Sequence, residues 1–182
     1  MITVELAIAR IEEFQLHPLG FYYLRADAEN GVGSRFHVWP AKEVGIPENQ
    51  CHQHTFDIRS TILTGQMRSE VFNFEPTMQG EEKEFAVEYT GGKSLLRATG
   101  RMGNLKRFCE FDSKAGDSYF LHAGVIHRVS IMARPCVTTL ETVDRAIAIF
   151  SYGKDVAEAP FNRRIAEQSE IREIETILHT LA

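Results

Sequence analysis

A succession of short strand-forming segments between residues 21 and 152 constrains the fold more than any other feature of this chain. Aromatic and β-branched runs alternate there with turn residues, a pattern that favours β-strands. The predicted strands cover residues 21–25, 35–40, 52–63, 66–75, 84–90, 94–99, 106–111, 118–121, 127–132, 136–142 and 146–152. Many strands with close turns predict a β-sandwich or barrel rather than a fold of alternating strands and helices.

The two ends of the chain have helical periodicity instead. Residues 4–16 and 162–181 both space apolar side chains at helical intervals, and Pro18 and Gly20 end the first segment. A length of 182 residues suits one domain. We therefore expect a single domain over residues 1–182, with an N-terminal helix and a C-terminal helix packed outside a β-core.

Composition excludes several function classes. A net charge of -5 disfavours nucleic-acid binding, and no apolar stretch is long enough to span a bilayer. The first residues lack the basic region of a secretion signal, and the three cysteines have no ligand-like spacing. We expect a cytoplasmic protein with a small-molecule substrate and with neither nucleic acid nor membrane as a partner. Barrels with exposed strand edges often pair, so a homodimer is compatible with this sequence.

His52 and His54 are separated by one residue, within a segment that favours a β-strand. Side chains alternate along a strand, so the two imidazoles point to the same face, as a transition-metal site requires. With seven histidines in the chain, such spacing also arises by chance. The interpretation therefore depends on a third ligand elsewhere.

A second unit runs from Gly116-Asp117 through a short strand to a turn containing Gly124 and then to His127. The turn redirects the chain, so His127 begins a new strand. In a barrel this strand can lie opposite His52 and His54. Three imidazoles that converge on one point are typical of a metal site.

Together these two units resemble the motifs of the cupin superfamily. Gly45, His52, His54 and Gly65 match its first motif, and Gly116, Asp117, Gly124 and His127 match its second. The resemblance spans residues 35 to 152. It implies a mainly β, cupin-type double-stranded β-helix barrel with a divalent metal on His52, His54 and His127.

The sequence departs from the cupin pattern at the carboxylate ligand. Asp57 comes too early for the usual glutamate, and strand alternation turns it away from His52 and His54 unless a bulge intervenes. Glu70, on the next predicted strand, is the other candidate carboxylate. Either residue is alternatively an ordinary solvated strand residue.

Three histidines without a glutamate resemble the thiol dioxygenase branch of the cupins, which includes cysteine dioxygenase. This resemblance implies Fe(2+), although three imidazoles also accept zinc, nickel, copper or manganese. Tyr119 lies just upstream of the third histidine and is a candidate proton donor, or else an aromatic residue of the barrel wall.

Arg35, His37 and Trp39 share one face of a predicted strand. If that face lines the cavity, Arg35 and His37 are candidates to bind a substrate carboxylate; otherwise they form a polar outer face. Arg59 is a further candidate anion anchor.

Three functions remain open from the sequence. The first is a non-haem iron dioxygenase acting on a small polar substrate, with a thiol or carboxylate as its reactive or binding group. The second is a metal-dependent isomerase, epimerase or lyase with Glu70 or Asp57 as base. The third is a non-catalytic cupin that binds a small molecule.

Overall fold

The structure is a computed structural model that describes residues 1–27, 29–44, 51–90, 93–154 and 160–182. Its strands are β1 (Gln15–His17), β2 (Phe21–Asp27), β3 (Val32–Trp39), β4 (Cys51–His52), β5 (Phe56–Pro76), β6 (Glu82–Thr90), β7 (Lys93–Lys114), β8 (Ser118–Leu121), β9 (Ile126–Asp144), β10 (Phe150–Gly153), β11 (Pro160–Asn162) and β12 (Arg164–Ile165). The helices are α1 (Val4–Ala9) and α2 (Gln168–His179), and 3₁₀ turns cover Ile11–Glu13 and Glu29–Gly31.

Antiparallel pairing closes one group of strands into a ring. Strand β4 pairs with β9 and β10, β10 pairs with β6, β6 with β7, β7 with β5, and β5 returns to β9. A second layer runs in the order β12-β1-β2-β3-β9-β5-β8. The long strands β5 and β9 contribute to both layers. The barrel interior lies between the two layers. This mainly β architecture confirms the predicted barrel.

Alternation along β2 and β3 separates two environments. Phe36 and Val38 pack outward with Tyr22, Leu24 and the apolar side of α2, which contributes Ile171, Ile174, Ile177 and Leu178. Phe21, Tyr23 and Trp39 face the other way and pack with Met67 of β5. Apolar burial on the outer face therefore anchors both helices, while the inner face is directed into the barrel interior.

One predicted turn lies within a continuous strand of the structure. Gly65, expected to end a strand, lies inside β5 with φ +80°, where the register with β9 shifts. A side chain at this position would approach the Pro135 carbonyl oxygen to 2.6 Å. Gly65 thus permits a bend and a close strand contact rather than a chain reversal.

The N-terminal helix is shorter than predicted. Helix α1 ends at Ala9, and Gln15 to His17 form β1, which pairs with β2 and β12. The amphipathic pattern over residues 4–16 also suits a short helix followed by an edge strand, because sheet pairing decides the local conformation. The C-terminal helix begins at Gln168, later than residue 162.

Candidate metal centre

Three histidines from two strands and the loop between β4 and β5 converge inside the barrel. His52 of β4 pairs in register with His127 of β9, and His54 follows two residues after His52. Ring centroids lie 4.6 Å apart for His52 and His127, 4.8 Å for His52 and His54, and 4.9 Å for His54 and His127. One ring nitrogen from each lies within 4.8 Å of the others, close enough to share one ion.

The protonation of these rings suits metal binding. Burial lowers the pKa of His127 to about 3 and holds the pKa of His54 well below its usual value. Nδ1 of His127 lies 3.0 Å from the Val125 carbonyl oxygen, which can only accept a hydrogen bond. The proton therefore resides on Nδ1, and Nε2 keeps its lone pair toward the triad. Neutral imidazoles held in this way fit a divalent transition metal.

Gln53, between the two histidines, fixes the segment from the opposite side. Its side-chain amide donates to the Gly124 carbonyl (2.7 Å) and accepts from the Phe150 N–H (2.9 Å). The Gly124 N–H donates in turn to the His54 carbonyl (3.0 Å). This network joins the segments that carry His54 and His127. The sequence gives one indication of this role: Gln53 lies between two histidines that share a face, so its side chain points to the opposite face.

Asp57 is not part of the histidine cluster. Its carboxylate accepts from the Ala123 N–H (2.9 Å) and from Arg145 Nε (2.8 Å). These bonds, led by that from Arg145, hold the pKa of Asp57 below its usual value. Phe56, its neighbour, stacks on His54, so Asp57 points to the other face of β5. The structure thus corrects the expected ligand role: Asp57 ties the turn before His127 to Arg145.

Glu70 is also misplaced for the catalytic role expected from sequence. Val71 pairs with His127, whereas Glu70 pairs with Arg128 on the opposite face of the sheet. Arg128 and Arg107 bind its carboxylate at 2.6 and 3.2 Å. A one-residue difference in register decides this point, which the sequence left open.

Tyr119 packs against the inner apolar cluster that includes Met67 and Trp39. It pairs with Ser60, and its hydroxyl donates to Met67 Sδ at 3.8 Å. Burial raises its pKa, so the hydroxyl keeps its proton. Within the described ranges, none of its hydrogen bonds or ring contacts reaches a triad histidine.

The three substrate-binding candidates divide between two faces. Arg35 and His37 lie on the inner face: the Arg35 guanidinium lies 4.1 Å from the Phe56 ring centroid, and His37 contacts Phe21 and Trp39. Arg59 is exposed and pairs in register with Phe120 and Glu141. The structure therefore places Arg59 outside the cavity, again because of strand alternation.

The chain thus combines an antiparallel β-barrel with three histidines that converge inside it. Gly45, assigned to the first cupin motif, lies outside the described residues. In the part of the chain that the structure describes, no helix is both long and apolar enough to cross a membrane.

Similar backbones occur among solved structures. They include the oxalate decarboxylase of Bacillus subtilis with Mn(II) centres (11% identity, 81% of this chain and 29% of that chain, TM-score 0.43). The formate complex of the Lactobacillus farciminis oxalate decarboxylase is similar too (11%, 73% and 31%, TM-score 0.42). So is hydroquinone 1,2-dioxygenase with Cd2+ and 4-hydroxybenzonitrile (18%, 70% and 66%, TM-score 0.41).

The chain spans less than a third of the two oxalate decarboxylases. No protein-family model and no curated protein matches it.

Proposed function

We propose that this protein is a metal-dependent cupin enzyme, a non-haem iron(II) dioxygenase of a small carboxylate-bearing substrate. The observation that carries this proposal is the convergence of His52, His54 and His127, whose donor nitrogens lie within 4.8 Å of one another. Among the residues that the structure describes, this cluster includes no carboxylate. When bound, Fe(2+) would supply open coordination positions for a small substrate and O2.

The protein's own residues would prepare the site. The Val125 carbonyl holds the orientation and tautomer of His127. The Asp57–Arg145 pair and Gln53 fix the two segments on which the ligands lie. Arg35 and His37, on the cavity wall, would orient an anionic substrate, and the aromatic rings around them would exclude water.

The placement of the carboxylates favours an oxygenase over a lyase or isomerase. Such an enzyme needs a base within hydrogen-bond reach of the substrate. Asp57 is bound by Arg145, and Glu70 is bound by Arg128 on the other face of the sheet. Neither of these two carboxylates is directed at the triad.

Metal content of the full chain, purified without chelators or a histidine tag, tests the proposal. We expect about one equivalent of iron. We also expect loss of most of it in H52A, H54A and H127A, because each removes one of three ligands. H179A is the matched control, since His179 lies on α2 and is mostly exposed. Unchanged metal content in the triad variants would contradict the metal site.

Oxygen uptake with a panel of thiols and carboxylates tests the reaction. Consumption of O2 that depends on both iron and one substrate supports the dioxygenase. Tight zinc with no oxygen uptake across the panel would contradict the dioxygenase while preserving the metal site.

A further inference from the structure

Arg35 is an arginine of the inner face for which the described residues provide no counter-ion. Its guanidinium packs on Phe56, and burial lowers its pKa to about 10. Asp27, whose charge acts on it through space, is bonded to Arg25. Over the described ranges Arg35 has no ion pair and no side-chain hydrogen bond. A guanidinium removed from water without a partner is costly, so this position suits a group that an anion will bind.

Arg163 is a second arginine of this kind. Nη2 donates to Ser94 Oγ at 3.1 Å, and the guanidinium lies 5.3 Å from the Tyr89 ring centroid. Its Nε–H is buried and, among the residues that the structure describes, has no acceptor. Two neutral groups therefore contact this cation, and one of its donors stays unsatisfied.

Strand register brings the two arginines close to Tyr23 and His17. Arg163 directly precedes Arg164, which pairs with Leu16, the residue before His17. Tyr23 pairs with His37, two residues from Arg35 on the same face of β3. Burial raises the pKa of Tyr23, and the charges of Arg163 and Arg35 both oppose that rise. Both charges also contribute to the low pKa of His17, after burial and His37. Tyr23 and His17 are themselves in contact, with ring centroids 5.7 Å apart.

His17 adds an uncharged donor beside them. The Leu19 backbone N–H donates to His17 Nδ1 at 3.2 Å, so this nitrogen carries no proton. The neutral ring therefore has its proton on Nε2. Two guanidiniums and an imidazole N–H offer a donor set for an anion.

We propose that Arg35 and Arg163, with His17, bind the carboxylate of a small organic substrate whose remainder extends along Phe56 toward the histidine triad. The planar guanidinium matches the two oxygens of a carboxylate. Phe56 connects this pocket to the triad because it contacts both Arg35 (4.1 Å) and His54 (4.8 Å). The orientation of the substrate toward the triad rests on the proposed function, whereas anion binding by Arg35, Arg163 and His17 does not.

Trp39 makes the pocket measurable. It is the only tryptophan of the chain, and it lies on the inner face next to Phe21 (4.9 Å) and His37 (5.6 Å). The probes are benzoate, the uncharged analogue benzamide and inorganic phosphate, each titrated into the chelator-treated full chain. We expect a saturable change in Trp39 fluorescence with benzoate. Binding of benzamide should be weaker by about tenfold or more, because it lacks charge-assisted hydrogen bonds.

Variants that remove one arginine charge each test which residues bind benzoate. R35Q and R163Q should each weaken benzoate binding by about tenfold. R59Q is the matched control, because it removes an exposed arginine on the outer face of β5. Circular dichroism checks the fold, and each arginine variant tests the pocket independently if the other fails to fold.

Three results would overturn the proposal. The first is equal binding of benzoate and benzamide. The second is an affinity for benzoate in R35Q and R163Q that matches that of R59Q. The third is tighter binding of phosphate than of benzoate. A lack of saturable binding by any probe would overturn it as well.

Failure of the pocket and failure of the metal site are distinguishable. H127A should lose metal but keep benzoate binding, whereas R35Q should keep metal and lose benzoate binding. Benzoate binding by a chain that proves to hold no metal would leave the pocket standing and refute only the proposed function.

Discussion

At the residue scale, Asp57 links the two segments that carry His54 and His127 from outside the histidine cluster. One oxygen caps the Ala123 N–H in the turn before His127, and the other binds Arg145, whose backbone N–H bonds to the Thr55 carbonyl. These bonds fix the relative positions of the two segments that carry His54 and His127. Outer contacts of this kind typically tune metal affinity.

A double-mutant cycle on this pair tests the positioning role. We expect D57N and R145Q each to weaken metal binding by about tenfold. The double variant D57N/R145Q should bind metal only slightly less tightly than the single variant with the lower affinity, because both substitutions remove the same contact. Metal affinity and melting temperature are the measurements. Loss of affinity in D57N that is much larger than in R145Q would instead identify Asp57 as a ligand.

The site was predictable from sequence only where alternation and motif spacing act together. His52 and His54 share a face by parity, and the Gly124 turn brings His127 opposite them. Asp57 and Glu70 were ambiguous because one residue of register reverses every side chain of a strand. Arg163 and His17 carry no local signal. They join the cavity through pairing of β1 with β12 and β2, a long-range contact.

At the element scale, Gly65 limits how strictly turn residues predict turns. Its positive φ suits a turn, yet the chain continues as β5 because β9 pairs with residues on both sides. The same reasoning applies to β7, where Gly100 also has φ +80° inside a strand. The strand ends predicted next to Gly65 and Gly100 are thus internal bends, whereas Gly116 and Gly124 lie in turns between strands.

Alanine substitutions at Gly65 and Gly100 separate the cost of backbone strain at a positive φ from the cost of a steric clash between strands. Both positions have φ +80°, but a Cβ at Gly100 meets nothing within 4 Å, whereas one at Gly65 meets backbone atoms of residues 133, 135 and 136 at 2.6–2.7 Å. We expect G100A to lower the free energy of unfolding by about 1–2 kcal/mol and G65A by about 3–5 kcal/mol. Urea unfolding measures both. Equal losses would show that the close approach does not constrain β5.

The N-terminus of α2 carries a pH-dependent contribution to stability. Glu170 bonds to the Glu167 N–H and, at 2.6 and 2.7 Å, to Arg164, which lowers the pKa of Glu170 to about 2. Since the folded-state pKa is depressed, the contribution is full above the unfolded value near 4.5 and is lost as pH falls toward 2.

Replacing this carboxylate should remove that dependence. We expect E170Q to cost about 1–2 kcal/mol at pH 7, a value reduced by the exposure of Arg164, and to flatten the fall in stability between about pH 4.5 and 2. E175Q is the control, because the contact of Glu175 with His179 on the same helix is long, at 3.9 Å, and Glu175 is about half exposed. Denaturant unfolding across this pH range is the measurement. An unaltered pH profile in E170Q would exclude the contribution.

At the scale of the whole molecule, the two faces of the β2–β3–β9 layer have different tasks. The outer face packs on α1 and α2, and the inner face carries Arg35, His37 and Trp39 toward the triad. Helix burial therefore supplies stability to the layer from a side that does not touch the cavity. Stability and binding should then be separable by mutation.

Ile174 tests this separation directly. It is fully buried between α2 and the outer face, so I174A should lower the free energy of unfolding by about 2–4 kcal/mol through lost contacts and a cavity. I165A, at a mostly exposed position, should stay within about 0.5 kcal/mol of the parent chain. At a temperature where both variants remain folded, we expect metal content and Trp39 fluorescence to match the parent. Loss of metal by folded I174A would mean that a change in helix packing alters the positions of the triad histidines through the sheet.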